Sequence, residues 1–193
     1  MKKRIKINGF IIFFTVILIA VFPDKFLRLD RGNYDILIQP LGFLIMLLGI
    51  AFRVASRGFK SEHSDCSKAL VIGGPYAIVR NPMYLGISCI ALGVILVMFQ
   101  WWVLVVFGVF FVLRYIPLIF REERLLKNNF GQQYDNYCKN VPRFIPGIGP
   151  VLSGKLLRSL NLKTSWIKKE SNSIIPLLIV TLGFIFWKAL VRT

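Results

Sequence analysis

The stretch Gly73-Gly74-Pro75-Tyr76-Ala77-Ile78-Val79-Arg80-Asn81-Pro82-Met83-Tyr84-Leu85-Gly86 packs turn residues, a cation, an amide and two tyrosines against the start of a long apolar run, 83–99. A second run, 101–120, follows after Gln100 and ends on the carboxylate pair Glu122-Glu123. Polar groups at a membrane boundary are costly unless partnered, so their placement marks a site as well as a span.

Working outward, apolar runs also occupy 7–22, 36–52 and 174–190. A helix of about 17 residues is the lower limit for crossing a bilayer, and lipid offers no partners to unpaired backbone, so each run is predicted to be helical. The runs either side of Gln100, with Trp101 and Trp102 beside it, read as a tight helical hairpin at an aromatic interface. The expectation is an all-α, multi-pass transmembrane bundle of about five spans, forming one domain over 1–193. The basic start Lys2-Lys3-Arg4 followed by apolar residues resembles a signal peptide, but no small-residue cleavage site follows, so a retained first helix is expected.

Charge orients the bundle. With the N-terminus in the cytoplasm, the inner segments hold Lys2, Lys3, Arg4, Lys6, Arg53, Arg57, Lys60, Lys68, Arg80 and the basic residues from Arg121 to Lys169. The outer segments hold only Lys25, Arg28, Arg31, Lys188 and Arg192, as the positive-inside rule requires. Both polar segments, 68–84 and 121–146, then face the cytosol. Residues 122–138 read as an amphipathic helix with Leu126, Phe130, Tyr134 and Tyr137 on one face, ended by Pro142 and Pro146. The polar, basic stretch 153–173 is expected along the anionic inner leaflet.

Composition excludes other classes. The chain has 193 residues, 55% hydrophobic, and a net charge of +16. A soluble domain of this size could not bury so much apolar surface. The charge flanks spans and accompanies no nucleic-acid motif. The three cysteines, Cys66, Cys89 and Cys138, lack metal spacing, and the single histidine, His63, leaves no His-based metal site or triad. No metal is expected, and no Gly-x-Gly-x-x-Gly or P-loop is present.

The candidate residues each carry two readings. Glu122-Glu123 either caps a span, paired with Arg121, Arg124 or Lys127, or turns one carboxylate inward to accept ribose hydroxyls. Arg114, inside a run, is either a snorkelling ion pair or an anion-recognition group. Tyr76 and Tyr84 are either interfacial anchors or, with Asn81 and the two prolines, a rigid entrance loop whose rings hold an adenine or a sulfonium.

The set formed by Gly74-Pro75-Tyr76, Val79-Arg80-Asn81-Pro82-Met83-Tyr84-Leu85-Gly86, Glu122-Glu123, Phe130-Gly131-Gln132-Gln133-Tyr134, Tyr137 and Val141-Pro142-Arg143-Phe144-Ile145-Pro146 resembles the signatures of the isoprenylcysteine carboxyl methyltransferase and phospholipid methyltransferase superfamily. The resemblance implies an integral membrane enzyme with a core over 68–146 that takes S-adenosylmethionine from the cytosol. Carried over residue by residue, the cofactor cradle is Lys68, Ala69, Leu70, Val71, Tyr76, Asn81, Pro82, Met83, Tyr84 and Glu122. Asn81 and Lys68 stand where the prenylcysteine enzymes have histidines. The acceptor is expected to be a lipid or lipidated molecule arriving through the bilayer, with Arg114 and Arg121 orienting it if it is an anion. No residue stands out as a general base. A bacterial inner membrane is the expected location. The rival expectations are an NADPH-dependent membrane reductase of the sterol reductase type and a non-catalytic lipid-binding protein.

Overall fold

The computed structural model describes residues 21–29, 35–64, 69–147, 154, 159–160 and 162–190. The first apolar run, apart from its last two residues, and Lys68 lie outside them. The described residues form the short helix α1 (Pro23–Phe26) and four long ones: α2 (Asp35–His63), α3 (Pro82–Met98), α4 (Trp102–Asn140) and α5 (Thr164–Leu190). No strand occurs among them beyond a single bridge between Leu27 and Phe99. Three helices are long and apolar enough to cross a membrane, Ile36–His63, Trp102–Asn140 and Thr164–Leu190, while Pro82–Met98 is a shorter apolar helix. The protein is therefore an all-helical membrane protein.

The closest packing is α2 against α3. Glycines make it possible. A Cβ on Gly86 would lie 2.8 Å from the Arg53 nitrogen and 2.9 Å from the Gly49 carbonyl, and one on Gly49 would lie 2.6 Å from the Ile90 nitrogen. Small residues let two membrane helices approach backbone to backbone, where dispersion rather than the hydrophobic effect holds them. Helix α5 joins this pair through Thr181, buried against Met46 of α2. By contrast α4 leaves Val105, Val109 and Leu113 more than half exposed, the face a lipid-contacting span presents.

At one end of the bundle α1 docks on the α3–α4 turn. Arg28 N donates to Met98 O at 2.8 Å, Gln100 N to Phe26 O at 2.9 Å, and Trp102 Nε1 to Lys25 O at 3.0 Å. The polar side chain of Gln100 is used here, donating to Leu27 O. At the other end lie the chemically rich segments. Pro82 starts α3, where its missing N–H costs nothing, so the loop before it is held against the helix entrance.

Helix α4 is not the continuous rod that its periodicity suggests. Gly131 has φ +48° and ψ −121°, which interrupts the expected amphipathic helix 122–138. Only glycine adopts that conformation readily. The chain bends there and resumes its helix to Asn140, with Lys127 Nζ and Asp135 Oδ1 closing across the bend at 2.9 Å. The bend returns Tyr134 and Tyr137, both buried, toward the loop that precedes α3.

Candidate active site

The site assembles where three segments meet: the loop through Tyr76 and Arg80, the distal part of α4, and the return segment 141–143. Two hydrogen bonds register them. Tyr137 donates its phenol to Tyr76 O at 2.6 Å, and Arg80 N donates to Pro142 O at 2.8 Å. Val141 leaves the helix in an extended conformation, and Pro142 prevents the helix from continuing past that point.

Glu123 is the hub. Its carboxylate is 8% exposed and accepts from Asn81 Nδ2 at 3.0 Å and from Arg143 Nε at 3.1 Å to each oxygen. Arg143 Nη2 lies 2.9 Å away and Arg80 Nη1 3.7 Å away. A buried carboxylate is tolerable only when several donors replace its water, and a guanidinium fork supplies two at once. Asn81 also donates to Arg143 O at 3.2 Å, while the Arg143 guanidinium stacks over Phe120. Burial works to lower the Arg80 pKa, but Glu123, Cys138 and Tyr134 together outweigh it and hold the guanidinium above its ordinary value. The Nε of Arg80 is buried without a hydrogen-bond partner among the described residues, and Arg80 Nη1 donates to Cys138 Sγ.

Glu122 points elsewhere. It is exposed, and it accepts from the phenol of buried Tyr84 at 2.8 Å. Tyr84 packs edge-on against Tyr115, which stacks on Phe111. The acidic pair is thus split between two tasks.

Beside the Glu123 hub opens a cleft of about 750 Å³ measured to its solvent mouth. Its walls include Ala69, Leu70, Val71 and Tyr76 from the loop, Phe130 at the α4 bend, and Tyr137 beyond it. Polar groups are supplied by Lys60, Ser64, Arg80 and Asn129. Burial, and then the charge of Glu122, push the Tyr76 phenol well above its ordinary pKa, so it stays a neutral O–H donor at any physiological pH.

Of the residues predicted from sequence, Ala69, Leu70, Val71 and Tyr76 line this cleft. Asn81, Pro82, Met83, Tyr84 and Glu122 are not in its lining: Asn81 and Pro82 are buried, Met83 is half-buried, and Tyr84 is held by Glu122. Lys68 is outside the described residues. Arg114 and Arg121 are both exposed on α4 and line neither the cleft nor the recess beside Glu123. Sequence reasoning gave no role to Lys60, Ser64 or Asn129. Nor did it see that the buried Glu123, with Arg80 and the exposed Arg143, forms the ionic centre. The one available signal was geometric: adjacent helical residues cannot both face outward when one flank is packed. Among the described residues no group of His, Cys, Asp and Glu is placed to hold a metal.

Comparison with known proteins bears on this arrangement. Searches of curated proteins and of solved structures gave no match. The profile of one family, phospholipid methyltransferase, matches residues 37–133, about half of the chain. The matched region runs from the start of α2 to just past the bend of α4, and so spans most of the cleft wall. An all-helical membrane protein whose polar centre joins the loop before α3 to the end of α4 belongs, on that match, to the phospholipid methyltransferase family.

Proposed function

We propose that the chain takes S-adenosylmethionine from the cytosol and methylates a lipid-like or prenylated acceptor, such as a phospholipid headgroup or an isoprenylcysteine carboxylate, that arrives through the bilayer. The observation that carries this reading is the solvent-open cleft of aromatic and polar side chains, all but Tyr137 within the matched region. Its donor set fits the cofactor. Lys60 suits the amino-acid carboxylate, and Asn129 offers both a donor and an acceptor. The rings of Tyr76, Phe130 and Tyr137 suit an adenine or a cationic sulfonium. The unpartnered Arg80 Nε on the cleft wall is a further buried donor.

The cofactor, when bound, supplies an electrophilic methyl group on a sulfonium. The chain's own residues contribute position. Glu122 lies outside the cleft lining but close enough for its charge to act on Tyr76; it keeps acceptor capacity beyond its bond from Tyr84 and would take ribose hydroxyls at the cleft edge, while Tyr84 fixes its rotamer. The Glu123 cluster holds the loop, α4 and the return segment in one geometry, the kind of positioning that removes entropy from a bimolecular step. Arg114 and Arg121, on the exposed flank of α4, would orient an anionic acceptor.

Calorimetric titration of the detergent-purified protein with S-adenosylhomocysteine tests the reading. Binding is expected, with Glu122→Ala weakening it at least tenfold in a protein that stays folded, while Arg121→Ala leaves it unchanged and raises the acceptor KM. No binding by folded wild-type protein would sink the methyltransferase reading, and NADPH would then be the next ligand to titrate.

A further inference from the structure

A second built site lies between α2 and α5 and shares no lining residue with the cofactor cleft. Two cavities meet at Val54 and Glu170. One, about 400 Å³ with its mouth, is lined by Arg57, Ser61, Trp166 and Lys169. The other is a shallow recess, about 240 Å³ counting its open mouth, lined by Ile50, Ile90, Ile174 and Leu177 with Arg53 and Ser173. The apolar run of α2 ends at Phe52 and that of α5 begins at Ile174, so the polar cavity lies at the membrane boundary and the apolar one within it.

Glu170, 6% exposed, organises the mouth. Arg57 is ion-paired to one of its oxygens, and Arg53 Nη2 lies 3.4 Å from the other. One carboxylate cannot neutralise Arg53, Arg57 and Lys169 together, and each guanidinium has five N–H donors, more than Glu170 uses. The first turn of α5 is fixed nearby: Trp166 Nε1 and Lys163 Nζ donate to the two oxygens of Glu62 at 2.7 and 2.6 Å. The result is a rigid cationic mouth over an apolar slot.

We infer that this groove holds an anionic glycerophospholipid, its phosphate at Arg57, Ser61 and Lys169 and an acyl chain lying along the open apolar side formed by Ile90, Ile174 and Leu177. Charge complementarity selects the headgroup, since basic pockets between membrane helices on the cytoplasmic side suit anionic lipids. The apolar slot excludes a small anion as the full ligand. The lipid bridges α2 and α5 and is distinct from the methyl acceptor.

The test titrates the full-length protein, in an uncharged detergent, with dioleoyl phosphatidylglycerol, reading retained lipid by native mass spectrometry. Phosphatidylglycerol is expected to be retained over phosphatidylcholine and not displaced by equimolar inorganic phosphate. Each lost cation should weaken retention about fivefold, so Lys169→Gln gives about fivefold and Arg57→Gln with Lys169→Gln about 25-fold. Lys169 is exposed, so Lys169→Gln leaves both partners of Glu170 in place. Ile174→Trp, which fills the slot without changing charge, should also weaken retention. S-adenosylhomocysteine binding should be unchanged in Lys169→Gln. Unchanged retention in the double variant, equal retention of phosphatidylcholine, displacement by inorganic phosphate, or loss of S-adenosylhomocysteine binding in Lys169→Gln would each overturn the assignment.

Discussion

Consecutive helical residues point about 100° apart, so Glu122 and Glu123 cannot share one environment. The sequence marks the pair but not the division of labour. That division depends on Arg80 and Arg143, which are distant in the chain and arrive only because the segment after α4 turns back at Pro142. Removing Glu123 strands the largely buried Arg80 guanidinium and the buried Asn81 amide, and releases the exposed Arg143. Breaking such a cluster from one side costs about 3 kcal/mol, whereas Glu122 loses one bond at an exposed position and costs about 1 kcal/mol or less. Thermal unfolding in detergent should therefore separate the two: Glu123→Ala should show a markedly lower Tm, and Glu122→Ala should melt close to wild type. Equal melting of the two variants would mean that the Glu123 cluster carries no stability. Asn81 was legible as a polar oddity beside a proline, yet its partner was not, since contact across 42 positions leaves no local signal.

At the scale of the element, periodicity finds the helices and misses the bend in one of them. Leu126, Phe130, Tyr134 and Tyr137 fit a single apolar face, and a lone glycine in a helical pattern is normally tolerated. Tertiary contact decides otherwise: the bond from Tyr137 to Tyr76 O and the burial of Tyr134 require the chain to turn at Gly131. A Cβ there would meet nothing within 4 Å, so the cost of a side chain is purely that of the backbone conformation. Gly131→Ala is expected to destabilise by about 1–3 kcal/mol and to loosen the cleft wall, weakening S-adenosylhomocysteine binding. Gly108, on the same helix and equally free of neighbours, is the control. There alanine should be neutral or stabilising by about 0.5–1 kcal/mol, because helical glycine only adds unfolded-state entropy. Calorimetric titration and melting curves of both variants measure the contrast, and matching behaviour would mean that the bend has no functional weight.

For the whole molecule, hydropathy gives helices of membrane length but not which ones touch. Adjacency in sequence favours the hairpin of α3 and α4, yet the intimate contact is α2 on α3. The reason is spacing. Gly42 and Gly49 on α2 and Gly86 and Gly93 on α3 repeat at seven residues, nearly two full helical turns, so each pair sits on one stripe facing the other helix. This crossing sets the distance between the two sides of the cleft, because α2 carries Lys60 and leads directly into Ser64, while α3 anchors the loop through Tyr76 and Arg80. A methyl group at Gly86 would collide with backbone atoms, which cannot rotate aside as a side chain can. Gly86→Ala should therefore push the helices apart, cost about 1–3 kcal/mol by overpacking, and weaken S-adenosylhomocysteine binding although the residue does not line the cleft. Gly183→Ala on α5, where the added carbon meets nothing within 4 Å, should leave both stability and binding as they are. If Gly86→Ala melted and bound like wild type, the α2–α3 crossing would not be what spaces the cleft, and the geometry of the site would have to be set by the Glu123 cluster alone.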